Sequence, residues 1–205
     1  MIAPLMRRVI AAAATLSLTA CTVFPDQPAH QIFQLPAPAV QETAAESVDR
    51  TLRVTTPLAV APIDSNRILV KPDAHEIRAY EGARWSNRSP IIVGNYLLES
   101  FRQDGRLATV VGNTSPARSD LTLAGDLTRF QAEYPGGEHR NGNPVVHLEL
   151  NLQLINERSR ETLASKHFGV TRPANGEDVA SVVEAFGKAS DELARQVIEW
   201  TAEQL

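Results

Sequence analysis

The chain has 205 residues, with 20 basic and 24 acidic side chains, a formal charge of −4, 43% hydrophobic residues and one cysteine. That length suits one domain with a substantial core. The acidic balance argues against nucleic acid as a partner and leaves no polybasic patch for anionic lipid, and a lone cysteine has no partner for an intramolecular disulfide.

In chain order, a basic pair, Arg7-Arg8, precedes twelve uncharged residues from Val9 to Ala20, and Cys21 follows. A positive start, an apolar middle and small residues before a cut describe a secretory signal. Twelve residues fall well short of the roughly 20 that span a bilayer as a helix. Leu18-Thr19-Ala20-Cys21 resembles the lipobox of bacterial lipoproteins. The resemblance implies cleavage before Cys21, a diacylglyceryl group on its sulfur and acylation of the new amine. Residues 1–20 are then a discarded signal. Its loss leaves a body of formal charge −6, because it removes Arg7 and Arg8 and no acid. Buried acyl methylenes contribute about 0.8 kcal/mol each, so more than one chain holds the protein firmly to a membrane. An ordinary secretory cut after Ala20, with Cys21 left as a spare thiol, is the alternative.

Residues 21–51 read as a lipidated tether, punctuated by Pro25, Pro28, Pro36 and Pro38 and polar and alanine-rich after Gln41. Gln31 to Leu35 is a candidate short strand inside it. The folded body is expected over residues 52–205. Leu52-Arg53-Val54 and Leu58-Ala59-Val60 flank Pro57, so a strand there should lie at an edge or carry a bulge. Arg67–Val70 and Glu76–Tyr80 read as a hairpin around Lys71-Pro72-Asp73.

From Ser89 to Gln103 the period becomes helical, with Ile92, Tyr96, Leu97 and Phe101 on one stripe. Ser89 is the expected cap, Pro90 the first helical residue and Asp104-Gly105 the close. Ala108–Val111 is a short strand. Leu121–Phe130 is another, expected to bulge near Gly125. Val146, Leu148, Leu150, Leu152 and Leu154 alternate strictly with polar residues, marking a sheet with one buried face. Leu163–Thr171 returns beside it, and Tyr134–Asn143 is a glycine-rich loop. Glu177–Glu203 is a long amphipathic helix, carrying Val179, Val182, Val183, Phe186, Ala189, Leu193, Val197 and Trp200 at spacings of three and four. The sum is an α+β fold: an antiparallel or mixed sheet of about five to seven strands with two main helices on one face.

Catalytic equipment is not legible. His30, His75, His139, His147 and His167 form no tight pair at metal-ligand spacing, so no metal or cofactor is expected. Neither a nucleophile elbow nor a phosphate-binding loop is present, and Asp120 and Asp126 have no evident acid partner. The chain reads as no enzyme. Tyr80, Arg84 and Trp85 cluster before the first helix and are of the types enriched among interface anchors, making them the candidate docking surface. Packing of Trp85 into the core, with Arg84 paired to a carboxylate, is the plainer account.

The ordered words Arg67-Ile68, Glu76 to Tyr80, Ala83-Arg84-Trp85, an apolar helix, Leu123 to Phe130, then Ala185-Phe186 and Trp200 resemble the ABC-type transport auxiliary lipoprotein family. The resemblance implies an accessory part of an ABC transporter of the mammalian-cell-entry (MCE) type, which moves phospholipids or other hydrophobic molecules between Gram-negative membranes. It implies an MCE-domain protein as partner, with self-association left open, and brings no catalytic residues. Ser86-Asn87 departs from the commoner family pattern. Thr22 after the cysteine, rather than aspartate, favours the outer membrane, with the body facing the periplasm. A lipid carrier with a cavity lined by Leu148, Leu150, Phe186 and Leu193, an envelope-stability lipoprotein and a divergent hydrolase are the alternatives.

Overall fold

A computed structural model describes residues 30–39, 47–136 and 142–205. Cys21, the signal, most of the tether and His139 lie outside the described residues.

The alternating stretch forms the expected strand, and its neighbours arrange themselves around a longer one. In chain order the elements are β1 (Gln31–Phe33), β2 (Val48–Val54), β3 (Arg67–Lys71), β4 (Arg78–Trp85), α1 (Ser89–Asp104), β5 (Leu107–Gly112), β6 (Leu121–Glu133), β7 (Val145–Asn156), β8 (Thr162–Pro173) and α2 (Val179–Ala202). These eight strands form one mixed, curled sheet. Along one edge, β6 pairs antiparallel with β7 over its full length, and β8 continues the meander. The other edge is shared. Leu121–Leu123 pair with β2, Leu58 makes a single bridge to Asp126, and Gln131–Glu133 pair with β3, all parallel. Beyond these lie β5 beside β2, and the β3–β4 hairpin with β1 added parallel to β4.

The apolar face of β7 is fully buried, with Leu148, Leu150 and Leu154 at 0% exposure. α2 packs over β7 and β8, and α1 over β5 and β2, so both helices cover the same face. The 24 residues of α2 give it a length of about 36 Å. It starts two residues on from the expected Glu177 because Asp178 is the cap, accepting the Ser181 amide at 2.9 Å.

Three local expectations need correction. Arg88, not Ser89, holds the cap position of α1, without a side-chain capping bond. Its guanidinium instead grips Asp64 at 2.7 and 2.8 Å, while the buried Ser89 hydroxyl donates to the Ser65 carbonyl at 3.2 Å. These bonds tie the helix start to the preceding turn. The irregularity in β6 falls between Leu127 and Arg129 rather than at Gly125. Gly125 is required by space: a Cβ there would lie 1.9 Å from the Asn151 carbonyl oxygen. The β2 strand is interior, between β5 and β6; it avoids the proline by ending at Val54, and its register shift lies earlier, between Val48 and Thr51. Gly105, with φ 75, closes α1 as expected.

The segment after β1 crosses the helices. Pro36 lies over Gly187 of α2, where an added Cβ would meet the proline ring at 2.8 Å. Beyond it, the Ala39 amide donates to Asp191 Oδ1 at 2.8 Å. The same oxygen accepts the Tyr96 hydroxyl at 2.6 Å, so one carboxylate joins α1, α2 and the crossing segment. Burial, then the bond to Asp191, pushes the Tyr96 phenol well above its usual range.

Candidate docking surface

The three residues singled out before α1 all lie on β4, but strand alternation divides them. Trp85 points to the core and is 1% exposed. Its ring centroid lies 5.5 Å from that of Phe130 and 5.3 Å, edge-on, from that of Phe186; Phe130 and Phe186 are 4.5 Å apart. Its amide donates to Asn66 O at 2.8 Å, while its indole N–H has no partner among the described residues. A side chain so enclosed offers nothing to a partner directly, so Trp85 is corrected from docking residue to packing residue. Aromatic area explains its burial despite the unpaired N–H.

Arg84 points the opposite way and is exposed. Its Cα partners are Arg67 on β3 and Ile32 on β1. Two arginines thus face each other across neighbouring strands, an arrangement that disfavours the folded state. Neither makes an ion pair among the described residues. Ile32, beside them on the edge strand, is 59% exposed. Tyr80 is half-buried and packs against the core. With His30 and Glu81, these arginines and Tyr80 rim a hollow of about 500 Å³, bent at Gly82 with φ 67. The surface is therefore cationic with an apolar edge, formed by Ile32, Arg67, Tyr80 and Arg84. Sequence reasoning missed Ile32 and Arg67 because only strand pairing brings them to Arg84.

A second exposed apolar feature lies between the prolines at 57 and 62. Leu58 is 72% and Val60 77% exposed, and the Leu58 backbone is held between Gly125 O and the Leu127 amide. The sequence places an edge or bulged strand here; with one bridge to β6 the segment instead projects from the sheet.

His167 shares a 2.8 Å hydrogen bond with Asn151. His147 is four register positions away along β7 and lies 4.0 Å from Glu133. Among the described residues, no group of three or more His, Cys, Asp or Glu side chains is placed to hold a metal ion. No described helix is long and apolar enough to cross a membrane.

A curled mixed sheet under two helices that share one face defines an α+β domain. Residues 33–198 match the family model of the ABC-type transport auxiliary lipoprotein component, and the chain belongs to that family. The crystal structure of a Xanthomonas campestris protein of the DUF330 family is similar, at TM-score 0.76 and 29% identity, covering 85% of this chain and 96% of that one. A second crystal structure, of an uncharacterised protein, shares the fold at TM-score 0.66 and 14% identity, over 84% and 99% of the two chains. An uncharacterised protein of Bradyrhizobium diazoefficiens is 23% identical over 175 residues, 85% of this chain. The chain spans 46% of that relative's length.

Proposed function

We propose that this chain is a lipid-anchored periplasmic subunit of an MCE-type ABC transporter, and that it docks to the MCE-domain protein without catalysing a reaction. The cargo is phospholipid or another hydrophobic molecule moving between the inner and outer membranes. In this reading residues 1–20 are removed, Cys21 carries the lipid in the outer membrane, residues 21–51 are the tether, and residues 52–205 supply most of the body. Family membership supports the transport role. The observation that carries docking is the pair of facing arginines beside exposed Ile32, an arrangement that opposes folding and is explained by an acidic, partly apolar partner. Gln31 is ten positions along the chain from Cys21, a reach of at most about 35 Å, so the patch stays near the anchoring membrane.

The carrier alternative fits less well. Leu148, Leu150, Phe186 and Leu193 are at most 1% exposed, and the Phe186 ring is in direct contact with Phe130 and Trp85. They are packed core rather than the wall of a lipid chamber.

Pull-down of the detergent-solubilised native protein is expected to recover an MCE-domain protein. The combined Ile32→Asp, Arg67→Glu and Arg84→Glu variant should lose it while keeping its circular dichroism. Repeated absence of an MCE protein counts against the partner; recovery undiminished in the variant counts against the patch. Cys21→Ser is expected to release a folded body from membranes, read by fractionation of outer and inner membranes.

A further inference from the structure

A sequence with excess acid gives no basic run, yet the fold gathers five arginines around one cleft. Arg50 and Arg53 come from β2, Arg118 from the β5–β6 loop, and Arg158 and Arg160 from the β7–β8 turn. The cleft has a volume of about 1030 Å³. Its three walls are fastened to one another. The Thr51 amide donates to Asp120 Oδ2 at 2.8 Å, the Asp120 amide to Thr51 O at 2.9 Å, and the Glu157 amide to Asp120 O at 2.9 Å.

The arginines divide by role. Arg53 is committed to structure, donating to the carbonyls of Gly112 and Ser115 at 3.0 and 3.1 Å and to that of Ala117, which holds the wall carrying Arg118. Arg50, Arg118, Arg158 and Arg160 make no ion pair among the described residues. The opposing carboxylates are Asp49, Asp120 and Glu157. Two are engaged already, Asp120 by the Thr51 amide and Glu157 by the Thr122 hydroxyl. Arg160 also stands at φ 62, a left-handed position where glycine or asparagine costs less. The turn thus keeps a cation at a position whose backbone selects against it.

We propose that this cleft binds a phosphate-bearing ligand, either the headgroup of an anionic phospholipid or a free phosphate compound. Guanidinium groups match phosphate oxygens with paired, charge-assisted hydrogen bonds, and donors arriving from three segments suit a group with several such oxygens. The site lies apart from the β1–β4 docking patch and stands or falls independently of it.

The test is calorimetry on the full lipidated chain in nonionic detergent, with three soluble probes: glycerophosphoglycerol (the deacylated headgroup), inorganic phosphate and triglutamate. Binding of a phosphate probe is expected, weakened by added salt. The Arg118→Gln, Arg158→Gln, Arg160→Gln variant should bind about tenfold or more weakly. The matching lysine variant, which keeps charge but not the fork, should fall between. These side chains are exposed, and an unchanged thermal midpoint confirms folding; the probe and salt series on the unaltered chain decide the matter without the variants. Tighter binding of glycerophosphoglycerol identifies a lipid headgroup, and tighter binding of inorganic phosphate a free compound. No binding of either phosphate probe, triglutamate binding equally well, or a glutamine variant that binds undiminished overturns the proposal.

Discussion

The two edges of β6 are built by different rules. On the β7 side, neighbours in sequence are neighbours in space, joined antiparallel over the strand's whole length. On the other side, β2, Leu58 and β3 share the edge in short parallel pieces, each returning from elsewhere in the chain. The regular edge can be read from alternation alone, since each strand needs only the next. The shared edge is specified by what closes it: Trp85 against Phe130 and Phe186, and α1 laid over β2 and β5. Local pattern builds the first, and tertiary packing builds the second.

The largest expected effect breaks the regular edge at its tightest point. Gly125→Val would put a branched side chain where even a Cβ comes within 1.9 Å of the Asn151 carbonyl oxygen and 3.0 Å of the Leu152 Cα. Backbone on both strands has to separate, and Leu58 loses its bridge as well. Soluble, folded protein should not be recovered, as judged by expression and circular dichroism.

Trp85→Ala attacks the shared edge instead. Removing a fully buried aromatic side chain costs about 3–5 kcal/mol. At this chain length that is a fall of roughly 10 °C in the thermal midpoint. Because Trp85 holds the β3–β4–β1 group against α2, hydrogen exchange should rise first in those strands while β7 and β8 stay protected. Uniform loss of protection across the sheet would show that the two edges act as one unit.

A smaller effect tests what joins the edges. The Tyr96–Asp191 bond links α1 over the shared edge to α2 over the regular one, and Tyr96→Phe should cost about 1.5–3 kcal/mol as an upper range for a hydrogen bond to a carboxylate. The sign with pH follows from the direction of the shift. The folded phenol is held protonated above its unfolded value of about 10, so its stabilisation is complete below that pH. It is lost as alkali rises from there toward the folded pKa. Stability of the unaltered protein should fall above about pH 10, and Tyr96→Phe should flatten that limb.

Legibility in the sequence follows the same division. The β7 strand, its return in β8, both helices and the β3–β4 hairpin carry their periods in consecutive residues, and the α+β class follows from them. Parallel pairing of β2 and β3 with β6 has no such signal, because a helix and three strands separate β2 from β6, and a helix and two strands separate β3 from it. Gly125 was visible as a glycine in a strand, but whether it marks a bulge or a close approach depends on Asn151, far away in sequence. The docking patch was half legible: Arg84 stood out beside Trp85, while Arg67 and Ile32 join it only through register. The arginine cleft was hidden, since its cations come from three segments of an acidic chain.

The smallest expected change in stability comes from the face of the β3–β4 hairpin opposite Trp85. Arg67→Ala removes one of two like charges placed directly opposite each other and leaves the core untouched. Relief of that repulsion should stabilise the chain slightly, by about 0.2–0.5 kcal/mol, close to the limit of denaturant titration. Recovery of the partner in pull-down should fall, because the same cation is what the patch offers. Stability and partner recovery therefore move in opposite directions at Arg67, whereas at Trp85 both should fall together. A loss of stability in Arg67→Ala would mean that the arginine is held by folding contacts, and the docking assignment would lose the observation that carries it.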